Sequence, residues 1–340
     1  MKNKEQNGTA RSGRVKGMVN SILLAGCLSF GLAAQAAVTF QFQYIDQPGT
    51  GFLDPADGPV RQAALNTAAS TFSSMFGHHF SNSGTIVLEA SATDDPHNTT
   101  LAAAGSQLID PGLAGFNLGE VVRTKLQTGV DLNGNDVDGS LDVNFGNAWE
   151  LNFNAPTSNT KYDFYSTMFH EFTHTLGFAS FVEQSGDPFF GTSAAGSWNA
   201  FDRLIVDKSG VSIINPANFA LNQAVWDAGS VGGASPAEGL FFNGTNAVAA
   251  NGGNPVGLYT PEIWEEGSSV SHLDDENAAL AGMMMLAASD TGPYARDYSA
   301  IEVGILEDLG YAAVVPEPEI YAMMLAGLGL FGWLSRRRQV

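Results

Sequence analysis

Cysteine is almost missing from this sequence: one, Cys27, occurs in 340 residues. It lies in an apolar N-terminal stretch, so a mature chain starting after that stretch has no disulfide to staple it and no thiol for nucleophilic or ligand chemistry. Basic residues are the second scarcity. Between Ala37 and Val315 there are seven of them (Arg61, Arg123, Lys125, Lys161, Arg203, Lys208 and Arg296) against 32 acidic residues, a net charge of −25. A surface of that sign repels polyanions, which excludes nucleic acid as a partner and peripheral binding to anionic lipid as a function. No internal repeat is present, and no apolar run reaches the ~20 residues that span a bilayer comfortably. What remains is a hydrophobic content of 44%, ordinary for a folded soluble core.

The two ends read as processing signals. Lys2, Lys4, Arg11, Arg14 and Lys16 precede the apolar "MVNSILLAGCLSFGLAA", and Ala34-Gln35-Ala36 is a small-x-small cleavage site. Residues 1–36 are therefore expected to be a signal peptide, which implies export. "LAGC" (Leu24 to Cys27) also resembles a bacterial lipobox, but the apolar run continues past Cys27 where a lipid anchor has a polar tether. At the other end, Val315-Pro316-Glu317-Pro318 is followed by the 15 apolar-dominated residues from Ile320 to Leu334 and then by Arg336, Arg337 and Arg338. Such a segment can insert in a membrane with its arginines in the cytoplasm, as a permanent tail anchor would. The order of its parts closely resembles the PEP-CTERM sorting signal of Gram-negative bacteria. That resemblance implies that residues 315–340 anchor the chain transiently, are removed by an exosortase-type processing enzyme, and deliver the protein to the cell surface or extracellular matrix. Contact with a membrane is expected only through this segment.

Between the signals, "VTFQFQYI" (Val38 to Ile45) alternates as a half-buried strand does. In "GPVRQAALNTAASTFSSMF", Leu65, Ala68, Phe72, Met75 and Phe76 recur at helical spacing, and "GTIVLEASA" (Gly84 to Ala92) returns as a strand. This predicts a strand, helix and strand crossover unit. A loop-rich stretch follows, and Leu141 to Phe153 reads as one strand or a hairpin. Leading into it, "DLNGNDVDGSLD" (Asp131 to Asp142) places Asp131, Asn133 and Asn135 at calcium-loop offsets, but Asp136 stands where an EF-hand needs glycine and Asp142 where it needs a bidentate Glu. A solvated turn is preferred over a Ca2+ site. From Gly186 to Asn254 the only convincing apolar element is "FDRLIVD". One domain, residues 37–314, with a long insertion at about 181–267, is expected.

The chemistry concentrates in "DFYSTMFHEFTHTLGF", which has neither proline nor glycine from Asp163 until Gly177. Asp163 is the candidate N-cap, Phe164, Met168, Phe172 and Leu176 make one ridge, and Gly177 is placed to end the helix in the left-handed region. His170 and His174 then share a face one turn apart, close enough to bind one Zn2+ at ~2.0–2.1 Å. Glu171 can take a proton from an activated water. HExxH alone is short and arises by chance, but here it lies in an exported chain on a credible helix.

A catalytic zinc needs a third protein ligand. The compact metzincin pattern HExxHxxGxxH would put it at Ser180, a poor ligand. Glu183 and Glu238 lie in no convincing helix. Asp202 and Asp207 are the best candidates that are not histidine. His78, His79 and His97 sit in polar, turn-like sequence, and His272 follows a Gly-Ser-Ser turn far downstream.

"HEFTHTLGF", then "SVSHLD", then "MMM", then "GILEDLGY" resembles leishmanolysin-like metzincins, which insert a long segment between the motif's glycine and its third histidine. The resemblance spans roughly Phe40 to Tyr311 and is weak in the insertion. It implies an α+β, zincin-like fold: a twisted mixed sheet, an active-site helix and a loop-rich C-terminal subdomain. It implies His272 as the third zinc ligand and a methionine turn beneath the metal, formed by one of Met283 to Met285 and most naturally Met284. The implied activity is a zinc-dependent endopeptidase acting on protein or peptide, with Glu171 as general base and some part of Leu141 to Phe153 pairing with extended substrate. The alternative is a surface or matrix protein that keeps the fold without turnover.

Overall fold

The computed structural model describes residues 37–232 and 238–311. Cys27 and both processing signals, residues 1–36 and 315–340, lie outside the described residues. The first strand, β1 (Val38–Tyr44), leads into α1 (Gly58–Phe76), and the chain returns as β2 (Gly84–Thr93), parallel to β1 with Phe40 opposite Ile86 and Phe42 opposite Leu88. This is the crossover unit that the spacing predicts. Pro59 sits in the first turn of α1, where its missing N–H costs nothing. Leu65, Ala68, Phe72 and Phe76 are buried on one face of the helix, with Met75 half-buried beside them.

An exposed stretch then gives way to β3 (Ala102–Ser106). The short strands β4 (Leu108–Ile109) and β5 (Gly119–Glu120) pair antiparallel, and α2 (Val121–Thr128) follows at once. This helix stands where the sequence reads as loop. Val121, Val122 and Leu126 are buried, and Gly129 closes it at φ +75°. Next, β6 (Gly139–Asn144) runs parallel to β2 on one side and antiparallel to β3 on the other, so the main sheet has the order β1-β2-β6-β3.

The expectation of one strand or a hairpin over Leu141 to Phe153 needs correction. The strand stops at Asn144, and β7 (Trp149–Glu150) pairs not with it but in parallel with β8 (Tyr162–Asp163). Both edges of β6 are occupied, so it has no main chain to offer a substrate. The edges of the sheet belong to β1 and to β3, and the "AAAGS" of β3 has no β-branched or aromatic residue to announce a strand.

The loop at Asp131 is answered by a cation from its own chain. Lys125 Nζ lies 2.8 Å from Asp131 Oδ2 and 2.5 Å from the buried Asp138 Oδ1, while Asp131 Oδ1 accepts the Gly134 N–H at 2.9 Å to make the turn.

After the central helix, α3 (Phe164–Thr175), come the hairpin β9 (Phe190–Thr192) and β10 (Ala195–Ser197) and the antiparallel sheet of β11 (Ile205–Asp207), β12 (Leu240–Phe242) and β13 (Val256–Gly257). The short helices α4 (Gln223–Gly229) and α5 (Thr245–Ala250) belong to the same region. Trp198, Trp226 and Phe242 are fully buried there with Phe201, Ile205 and Ile213, in short apolar clusters separated by small and polar residues, so no periodicity advertises these elements. The last helix, α6 (Ala300–Asp308), starts with a capping box made by Ser299 and Glu302. Its Asp308 carboxylate accepts the N–H groups of Asn246 and Ala247 at the head of α5. The architecture is mixed α+β with several small sheets. Among the described residues no helix is long and apolar enough to cross a membrane.

A candidate metal centre

Helix α3 is held at its start and wrapped along its length. Asp163 accepts the Tyr165 and Ser166 N–H groups at 3.2 Å each, capping the helix as the sequence suggests. The same carboxylate takes the Arg296 guanidinium at 2.9 Å, tying the segment before α6 to the helix. Phe164, Met168, Phe172 and Leu176 are all buried. Phe172 stacks on Phe40 with centroids 4.8 Å apart and meets Phe72 at 5.4 Å, locking α3 to β1 and α1. Each such fully buried ring contributes roughly 2–3 kcal/mol. His170, Glu171 and His174 are left to line a cleft of about 690 Å³.

Gly177 turns the chain at φ +96°. A Cβ there would also lie 2.6 Å from Glu120 Oε1, so both conformation and space demand glycine. The turn brings the Phe178 carbonyl back to His174 Nδ1 at 2.7 Å.

Three imidazoles converge. The Nε2 atoms of His170 and His174 are 2.9 Å apart, and each lies 3.1 Å from His272 Nε2. Every Nδ1 faces a backbone carbonyl: Met284 O at 2.7 Å for His170, Phe178 O at 2.7 Å for His174, and Ser268 O at 2.9 Å for His272. A carbonyl can only accept, so each Nδ1 carries the proton and each Nε2 presents a lone pair to the common point. Three lone pairs at that separation repel one another unless a cation sits among them, and the spacing suits bonds of ~2.0–2.1 Å. Burial holds the rings neutral, the form that ligates metal: it lowers the pKa of His170 to about 4 and of His272 to about 3. For His174, burial and then repulsion from the other two rings push it well below the ordinary value. These three side chains could hold a metal ion, and they form the one such group among the described residues.

Glu171 projects into the same cleft. Burial pushes its carboxyl up to about 8, against the opposing effect of the Ala104 N–H on β3. The general-base candidate therefore lies beside β3, one of the two edge strands of the main sheet.

His272 arrives from 98 residues beyond His174. Its loop is pinned on both sides. Val270 N–H donates to Tyr259 O at 2.7 Å and Tyr259 N–H to His272 O at 2.9 Å. Val270 is itself buried at φ +65°, a conformation that β-branched residues avoid. Across the cleft, Ser180 N–H donates to Ser271 Oγ at 3.2 Å. Position 180, where the compact pattern would have its third ligand, is thus held against the neighbour of the distant histidine.

Met284 is buried, and its carbonyl orients His170. Met285 N–H donates to Glu302 Oε1 at 2.8 Å, and Met283 Sδ accepts from Ser299 Oγ at 3.4 Å, so α6 braces this turn. No sequence signal pointed to Glu302, because its partner is a main-chain N–H that any residue could supply.

The other candidates lie elsewhere. Asp202 is buried away from the cleft with neither carboxylate oxygen hydrogen-bonded, and burial raises its pKa to about 7. Asp207 caps a turn through the Ser209 and Val211 N–H groups. Glu238 pairs with Lys208 in the open. Glu183 lines the cleft rim with Glu265 and Glu266, and no lysine or arginine lines it.

Residues 314–339 match the PEP-CTERM protein-sorting motif. The motif is a sorting signal recognised by exosortase-type processing enzymes, and it marks the chain for export and C-terminal sorting. No curated protein and no solved structure matches the chain.

Proposed function

We propose that this chain is an exported, zinc-dependent endopeptidase with a metzincin-like fold, sorted to the surface or matrix of a Gram-negative cell. The observation that carries the reading is the convergence of three Nε2 lone pairs beside a buried carboxyl on an open sheet edge. His170, His174 and His272 would hold the ion, with Met284 beneath it. Bound there, zinc supplies a Lewis acid for the scissile carbonyl and lowers the pKa of water. Glu171, whose charged form a cation beside it would favour, takes the proton from the attacking water and passes it to the leaving amine. The free edge of β3 offers main-chain N–H and C=O groups to an extended peptide. Because Ala104 touches Glu171, a peptide lying along β3 has its scissile bond carried to the base.

The sorting motif also suits a matrix protein without turnover, and one pair of measurements separates the readings. Glu171→Gln should abolish hydrolysis while one metal ion per chain remains. A wild-type chain that binds metal but cleaves no peptide favours the matrix protein. For the ligand set, His272→Ala should lose the metal and Asp202→Ala should keep it. The opposite result would overturn the triad.

A further inference from the structure

The segment from Asp94 to Thr100 leads into β3, and all seven of its side chains are exposed. It has no apolar anchor, yet Thr99 and Thr100 line the cleft immediately before the edge strand. One side chain holds it to the core. Asn144, at the end of β6, is 2% exposed. Its Oδ1 accepts the Asp95 and Gly146 N–H groups at 3.0 Å each, and its Nδ2 donates to Asp95 O at 2.9 Å and to Asn98 O and Thr100 O at 3.2 Å each. Its main-chain N–H reaches Leu101 O at 2.9 Å. Such a hub requires an amide: a carboxylate would set negative charge against three carbonyls, and an aliphatic group would strand five polar partners.

We infer that Asn144 is a positioning residue for the cleft: it sets where Thr99 to Ala104 lie, and so aligns the main chain of an extended substrate with Glu171 and the triad. This rests on the endopeptidase reading. Asn144 touches neither the metal site nor a substrate, and it acts through the backbone of β3. A main-chain acceptor misplaced by an ångström loses pairing over every substrate residue it should bind, whereas a short substrate loses little.

The test compares wild type with Asn144→Asp and Asn144→Ser on peptides of two, four and eight residues around one cleaved bond. Wild type should gain in kcat/KM with length. Asn144→Asp should lose at least tenfold of that gain, mostly as a rise in KM, with one metal ion per chain retained. An unchanged length gain, or an equal loss of kcat at every length, would overturn the inference. Should Asn144→Asp fail to fold, hydrogen exchange of the Ala102 to Ala104 amides in Asn144→Ser decides: at least tenfold faster exchange there, with α3 unchanged, supports the role, and unchanged exchange refutes it. That measurement needs no turnover, so a wild type that cleaves nothing would sink the enzyme without deciding Asn144.

Discussion

Replacing the general-base candidate should make the metal-free protein more stable. Burial lifts the Glu171 carboxyl from 4.5 to about 8 in the folded chain. Between those values the unfolded chain has released a proton that the folded chain keeps, so stability is present below pH 4.5 and is lost as pH rises, at about 1.4 kcal/mol per pH unit. The accumulated cost is under ~1 kcal/mol at pH 5 and about 3 kcal/mol at pH 7, and it levels off above pH 8. Glutamine has the same shape, can accept from the Ala104 N–H and carries no charge, so Glu171→Gln removes the cost. Urea unfolding of both proteins in chelator, from pH 5 to 8.5, should show the variant more stable by a margin that widens with pH to about 3 kcal/mol at pH 7. Added metal should narrow the margin, because a cation beside the carboxyl favours its charged form. A margin that is absent, or the same at every pH, would refute the claim that the cleft buries this charge at a cost.

Gly177→Ala should lower stability by roughly 2–3 kcal/mol in thermal melts, through the positive φ and the approach to Glu120 Oε1. It should weaken metal binding as well, since the Phe178 carbonyl that orients His174 follows directly. Lys125→Met should cost about 3–5 kcal/mol in urea unfolding, because it strands the buried Asp138 carboxylate. With Glu183, Glu265 and Glu266 at the cleft and no basic residue lining it, cationic peptides should be cleaved faster than acidic ones of the same length, and the advantage should shrink as salt rises. Equal rates at low salt would remove this electrostatic reading.

Much of the site was legible before any coordinates, because helical periodicity is local. An uninterrupted run from Asp163 to Leu176 puts His170 and His174 on one face with Glu171 beside the first of them, and the structure has the N-cap, the buried ridge and the positive φ of Gly177 where the pattern places them. The crossover of β1, α1 and β2 was legible for the same reason. The opposite failure came at β3, where four small residues and a serine form one edge of the sheet while the better-patterned β6 lies inside it. Strand propensity reports how a side chain suits a pleated surface, not which edge stays open. The insertion misled in a similar way, its buried aromatic and aliphatic residues coming in short clusters among residues that suggest loop.

By itself the sequence determined the charge and the near-absence of cysteine, the PEP-CTERM motif at residues 314–339, the helix with its two histidines and carboxyl, and the short menu of third partners. The residues alone left His272, Asp202 and Asp207 open and only the resemblance favoured His272; the tertiary structure brings His272, and neither aspartate, within 3.1 Å of the pair. It also decided the second layer, because the carbonyls of Met284, Phe178 and Ser268 that orient the rings belong to the backbone and have no letter in the sequence. Local pattern specifies what a segment can become. Closing a loop of almost a hundred residues on a single point depends on the packing of everything between.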